Sequence, residues 1–228
     1  MPIAWSDFFY MLTLLLFVIS LIVSGTVKSR FRKYAQERTR SGVTGATAAE
    51  RILRANGITD VSIVPIRGTL TDNYDPRTKQ LNLSEAVYGG ASVSAVAVAA
   101  HECGHAIQHA QAYPLLMLRK SLVPICNIGS KGAYIAILLG LFLSSTDLIV
   151  LGALLFSGIV VFNLVTLPVE VDASRRALAE VERLNLLSEE EMQGGRKVLV
   201  AAGMTYFISL VASIVQLLRL LSLANRRR

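Results

Sequence analysis

From Phe8 to Val23 the chain carries no charged side chain, and the blocks Leu148 to Leu167 and Val198 to Leu218 are equally free of charge. Crossing the hydrocarbon core of a bilayer takes a helix of about 17 to 25 apolar residues, so these blocks constrain the fold before anything else does. They read as membrane spans. A further block, Gly132 to Leu143, is short. It crosses only by tilting, by thinning the bilayer, or by recruiting residues ahead of Lys131, whose amine can snorkel to the interface. Ser144-Ser145-Thr146-Asp147 has the character of a hairpin tip between two apolar blocks. The first block lacks a basic segment ahead of it and a small-residue cleavage site behind it, and is expected to stay as an anchor.

Of the 228 residues, 53% are hydrophobic and 17% charged, which excludes a disordered chain and an ordinary soluble domain. Lys28, Arg30, Arg32, Lys33, Arg38 and Arg40 follow the first apolar block, with only Glu37 to oppose them. By the positive-inside rule the amino terminus is outside and the region carrying His101 is cytoplasmic. Four spans would return Arg226-Arg227-Arg228 to the outside, against that rule, so the last block is either a span or a re-entrant, membrane-associated helix. The net charge of +7 fits attraction to anionic lipid headgroups, and no nucleic-acid-binding motif accompanies it.

His101-Glu102-Cys103-Gly104-His105 is an HExxH pentapeptide. Side chains four apart on a helix share a face about one turn (~6 Å) apart, so the two histidines can clamp one metal ion. Glu102 would stand beside the ion without binding it, placed to take a proton from a zinc-bound water that attacks a peptide carbonyl. The small and apolar run from Ala91 to Ala100, with Ser92 or Ser94 as N-cap, predicts a buried helix of about twenty residues that ends before Tyr113-Pro114. Cys103 points to another helix face from His101 and reads as a core thiol. Upstream, Thr47-Ala48-Ala49-Glu50 offers a capping box for a short helix ending at Gly57. Val61 to Val64 and Gln80 to Leu83 alternate as strands across a turn-rich stretch, Leu70 to Pro76. A two-stranded unit therefore precedes the HExxH helix, and the strand just before that helix could bind an extended peptide by edge addition.

A catalytic zinc takes three protein ligands, one more than the pentapeptide supplies. His109 continues the spacing but lies about 12 Å along the helix axis from His101, out of reach of a shared metal. Glu170 is the better candidate. It follows an apolar block directly, where a carboxylate is costly unless paired or metal-bound, and Pro168 can open a helix from whose first turn it projects. The competing reading pairs Glu170 and Asp172 with Arg175 or Arg176.

Three stretches carry a resemblance. His101-Glu102-Cys103-Gly104-His105-Ala106-Ile107-Gln108-His109, Leu122-Val123-Pro124 with Asn127-Ile128-Gly129-Ser130, and Leu164 to Ala177 together resemble the YugP-like membrane zinc metallopeptidases, over nearly the whole chain. The resemblance implies a gluzincin, with zinc held by His101, His105 and Glu170 and with Glu102 as general base. The chain is also similar to CAAX-protease and HtpX-like membrane peptidases, but those place an aspartate four residues after the glutamate ligand, where this chain has Ser174. Asp172 and Ser174 are therefore both candidates to orient a ligand histidine.

The expected protein is mainly α, a multi-pass membrane protein with a zincin-like helical core and a small β-hairpin unit ahead of the HExxH helix. Residues 1–27 form the anchor, 28–130 a cytoplasmic region with the strands and the HExxH helix, and 131–168 a transmembrane hairpin. Residues 169–197 form a cytoplasmic helical segment with the third ligand, and 198–228 a transmembrane or membrane-associated helix. The expected activity is a zinc endopeptidase at the inner or plasma membrane, with one Zn2+ per chain and a protein or peptide substrate, and with Tyr74, His109 and Tyr113 as oxyanion candidates. Its neighbours are the lipid bilayer and either a second copy or another membrane protein. The alternatives are an intramembrane site-2-type protease, which would add an Asn-Pro-Asp-Gly-like sequence that is lacking here, and a membrane scaffold with a structural zinc site.

Overall fold

The computed structural model describes residues 5–226, so Arg227 and Arg228 of the terminal arginine triplet lie outside the described residues. In chain order the elements are α1 (Trp5–Ala35), α2 (Gly45–Ala55), β1 (Ser62–Ile66), β2 (Asn73–Asp75), β3 (Gln80–Ser84), α3 (Glu85–Tyr88), α4 (Val93–Ala110), α5 (Pro114–Phe142), α6 (Thr146–Arg183) and α7 (Glu189–Arg226). Two compact units emerge. One is formed by the described parts of Met1–Val23, Met117–Pro168 and Thr205–Arg228, the other by Ser24–Leu116 and Val169–Met204.

The first unit is apolar outside as well as inside. Phe8–Ala35, Pro114–Phe142, Thr146–Arg183 and Glu189–Asn225 are long and apolar enough to cross a membrane. Ile22, Ile128 and Phe142 are among the many large apolar side chains they leave exposed, a surface that water does not tolerate in such continuity. All of the short block Gly132 to Leu143 except Leu143 is the carboxyl-terminal part of α5, which starts at Pro114 and is 29 residues long. Recruitment of preceding residues thus supplies the missing length. After a turn in which Ser144 takes φ 52°, α6 returns along α5. A Cβ at Gly152 would stand 2.5 Å from Ile137 Cγ1 and 3.1 Å from the Ala133 carbonyl. Close approach through small residues is how helices associate where no water remains to drive them together.

The second unit has a conventional core of Ile52, Leu81, Leu83, Val87, Val96, Ala99 and Cys103, shared by α2, the sheet, α3 and α4. Thr44, not Thr47, caps α2: its hydroxyl accepts from the Thr47 N–H at 3.2 Å, and Glu50 instead pairs with Arg54 on the surface. The earlier start puts Gly45 against α3, where a Cβ would lie 2.2 Å from the Val87 carbonyl and where the Gly45 N–H donates to Gly90. Glu191 ties the start of α7 to the loop after α1, accepting from the Ser188 and Arg40 N–H groups at 2.7 Å each.

The sheet has three strands, not two. Its order is β1-β3-β2, with β1 parallel and β2 antiparallel to β3, so the hairpin is made by β2 and β3. Tyr74 belongs to β2 inside the stretch read as turn, because Asn73 to Asp75 pair with Asn82 to Gln80. Edge addition to the strand before the HExxH helix is therefore ruled out: β3 is central, and both its sides are paired. The free edges belong to β1, whose Pro65 lacks a donor as edge prolines can, and to β2. Pro168 likewise departs from expectation. It lies within α6 and opens no new helix, so Glu170 sits well inside a continuous 38-residue helix. Proline is tolerated in long apolar helices because neighbouring groups re-satisfy the freed carbonyl.

Replacing Gly45 by Ala forces the Val87 carbonyl back and should destabilise the fold by about 1–3 kcal/mol. In thermal unfolding of the detergent-solubilised protein Gly45→Ala should melt lower. Gly203→Ala, which adds a methyl where nothing lies within 4 Å, should melt at or slightly above the parent.

Candidate metal centre

α4 begins at Ser92, whose hydroxyl accepts from the Ala95 N–H at 3.3 Å, and its first turns are small residues that let it lie deep in the second unit. Gly104 packs closely against α6. A Cβ there would sit 2.4 Å from the Ala173 carbonyl oxygen, so only glycine leaves room for the α6 backbone. Ala173 is itself fully buried, and Glu170, one turn before it, is 2% exposed. The packing of these two small residues brings the carboxylate to the histidines.

His101 Nε2 and His105 Nε2 lie 3.3 and 3.5 Å from Glu170 Oε2. One ligand atom from each of the three residues lies within 4.8 Å of the others. Charge-assisted hydrogen bonds usually contract to about 2.7–2.9 Å. A tetrahedral site with bonds of about 2.0–2.1 Å has edges of roughly 3.3–3.4 Å, close to the two histidine–glutamate distances. The donor set, two imidazoles and a carboxylate, is one that zinc favours, and the electrostatics agree. Burial opposes a charged His105, yet the hydrogen bond and charge of Glu170 outweigh it and raise the imidazole's pKa, so the pocket attracts positive charge. By chemistry and spacing the three residues fit a zinc ion.

Glu102 is buried beside this group. Burial foremost lifts its pKa above the ordinary carboxylate value, against the lowering influence of the two histidines. Cys103 turns away from the metal group: its Sγ contacts the Ala49 carbonyl at 3.7 Å, and burial holds the thiol well above its usual pKa.

The remaining candidates divide. Ser174 Oγ lies 3.0 Å from His101 Nδ1. Asp172 touches neither histidine; it accepts from Arg176 Nε at 2.5 Å and from Gln108 Nε2 at 2.8 Å. The pairing of Glu170 and Asp172 with nearby arginines thus splits, with Asp172 taking Arg176 while Glu170 faces the histidines. Tyr74 Oη and His109 Nδ1 are 2.9 Å apart, and Tyr113 lies under the Arg176 guanidinium, 5.7 Å from ring centroid to Cζ. Burial, with the charges of Asp60 and Asp75, pushes the Tyr74 phenol up to about 12, so it keeps its proton.

Two residues were not among the candidates. Gly104 was visible as part of the pentapeptide, but its contact is with a residue far along the chain. Gln108, whose Oε1 lies 3.1 Å from His105 Nδ1, carried as its only signal a polar side chain three residues after the second histidine of the pentapeptide, close to one helical turn away.

A protein family described as "Putative neutral zinc metallopeptidase" matches residues 9–225 of the chain. The chain is similar to the "Putative membrane protease YugP" of Bacillus subtilis (strain 168), with 45% identity over 211 residues that cover 92% of this chain and 94% of that protein. No solved structure matches it. With a match that spans both units and a relative of nearly equal length, the chain belongs to the YugP-like family of zinc metallopeptidases.

Proposed function

We propose that the chain is a multi-pass membrane endopeptidase that hydrolyses peptide bonds at one zinc ion held by His101, His105 and Glu170, with Glu102 as the general base. The observation that supports it best is the convergence of these three ligand atoms while Glu102, adjacent to His101 in the chain, is buried next to them and is not one of the three. Zinc bound there supplies Lewis acidity for the scissile carbonyl and for the attacking water. Glu102 accepts the proton from that water as its oxygen bonds to the carbonyl carbon. It then delivers the proton to the leaving amine as the C–N bond breaks, and its raised pKa suits both transfers. Tyr74, His109 and Tyr113 are the candidate stabilisers of the developing oxyanion; the Tyr74 phenol keeps its proton and lies 2.9 Å from His109 Nδ1.

The basic cluster from Lys28 to Arg40 supports a cytoplasmic placement for 28–130 and 169–197, with 1–27, 131–168 and 198–228 in or on the membrane. A structural zinc site would close its fourth position with protein, and among the described residues the group that could hold a metal has three members. A site-2-type protease would carry HExxH inside a span, whereas α4 is not one of the four long apolar helices. The exposed apolar faces of those helices suit lipid or a second subunit.

Glu102→Gln should retain zinc and lose cleavage of a peptide substrate by roughly a hundred- to ten-thousand-fold; unchanged cleavage would remove Glu102 from the chemistry. Chelation should abolish cleavage in the parent and added zinc should restore it. Gly104→Ala, which pushes α6 off α4, should weaken zinc binding at least about tenfold by competition with a chromogenic chelator. Unaltered affinity there would show that the Gly104–Ala173 contact does not set the ligand geometry.

A further inference from the structure

Gln108 is fully buried on α4, three residues beyond His105. A buried glutamine must place two donor hydrogens and one carbonyl oxygen. Its Nε2 lies 2.9 Å from the Val169 carbonyl and 2.8 Å from Asp172 Oδ2. Both of these groups only accept, so both hydrogens are used, and the end of the amide that is nitrogen is fixed by its partners. Oε1 is left facing His105 Nδ1 at 3.1 Å. An amide oxygen only accepts, so Nδ1 must carry the hydrogen, and the neutral ring has its lone pair on Nε2, the atom 3.5 Å from Glu170 Oε2.

The amide is held from behind as well. Asp172 Oδ2 takes Arg176 Nε at 2.5 Å, and the same guanidinium donates to Gln111 Oε1 at 2.6 Å and covers the Tyr113 ring. His101 has no such arrangement, because the Ser174 hydroxyl on its Nδ1 can donate or accept and leaves the tautomer open.

We propose that Gln108 is a positioning residue for His105, fixing through the Asp172–Arg176 pair the tautomer and ring orientation that present Nε2 to the metal. Metal-ligating histidines commonly donate their other nitrogen to a carboxylate directly; here the carboxylate acts through an interposed amide, which also ties α4 to the α6 backbone. The proposal rests on the zinc-site reading above.

The test uses the full-length purified protein and its affinity for zinc itself, by chelator competition, together with the visible spectrum of the cobalt-substituted form. Gln108→Met keeps the volume and removes every polar contact, and should weaken zinc about 10–100-fold and shift the cobalt bands. Asp172→Asn leaves Gln108 in place, removes the charge behind it, and should weaken zinc severalfold; it decides the matter if Gln108→Met does not fold. A merely structural brace would lower the melting temperature of the metal-free protein while leaving zinc affinity and cobalt spectrum at parental values, and that result overturns the proposal. A parent protein that binds no zinc overturns the zinc-site reading itself, an outcome distinct from a parent that binds and variants that bind equally well.

Discussion

The contact between Gly104 and the backbone at Ala173 is the constraint on which the site depends. Two histidines on one helix face specify where a metal could go, but the carboxylate that completes the group belongs to a different helix and arrives only if the two backbones nearly touch. A single methyl at position 104 would overlap the Ala173 carbonyl oxygen. Glycine in the interior of a helix costs up to about 1 kcal/mol in propensity. The close crossing is what that cost sustains.

Around the crossing, polarity is concentrated and each group has an assignable purpose. A buried carboxylate such as Glu170 is unfavourable alone, and the histidines facing it would be poor partners as neutral rings. A cation bound between them, as proposed, would resolve both problems. Behind the rings stand groups of different character, a hydroxyl on His101 and an amide backed by an ion pair on His105. Glu102 stays beside the cluster in a buried setting that raises its pKa, as the proposed proton shuttle requires.

Much of this was legible in the sequence because it depends on local chemistry. Uncharged apolar runs foretell long helices, the four-residue spacing puts His101 and His105 on one face, and an acidic residue at the end of an apolar block draws attention to Glu170. Other features depend on contacts between distant segments. The strand at Tyr74 looks like a turn, rich in Asp and Asn, and is a strand because β3 pairs with it. Pro168 suggests a helix start and is accommodated inside α6 instead. Thr47 and Glu50 have the pattern of a capping box, yet the glycine that fits beneath Val87 moves the start of α2 one turn earlier. Gln108 could not be read as a partner of His105, because its amide is fixed by Val169 and Asp172, some sixty residues away in the chain.

X-ray absorption at the zinc edge of the purified, metal-loaded protein addresses the central claim most directly, since it counts and identifies the ligands without reference to any substrate. The account predicts two imidazoles and light oxygen scatterers at about 2.0–2.1 Å, with no sulfur. A sulfur shell near 2.3 Å, which would bring a cysteine thiolate into the site, or a coordination sphere with no imidazole, would contradict it.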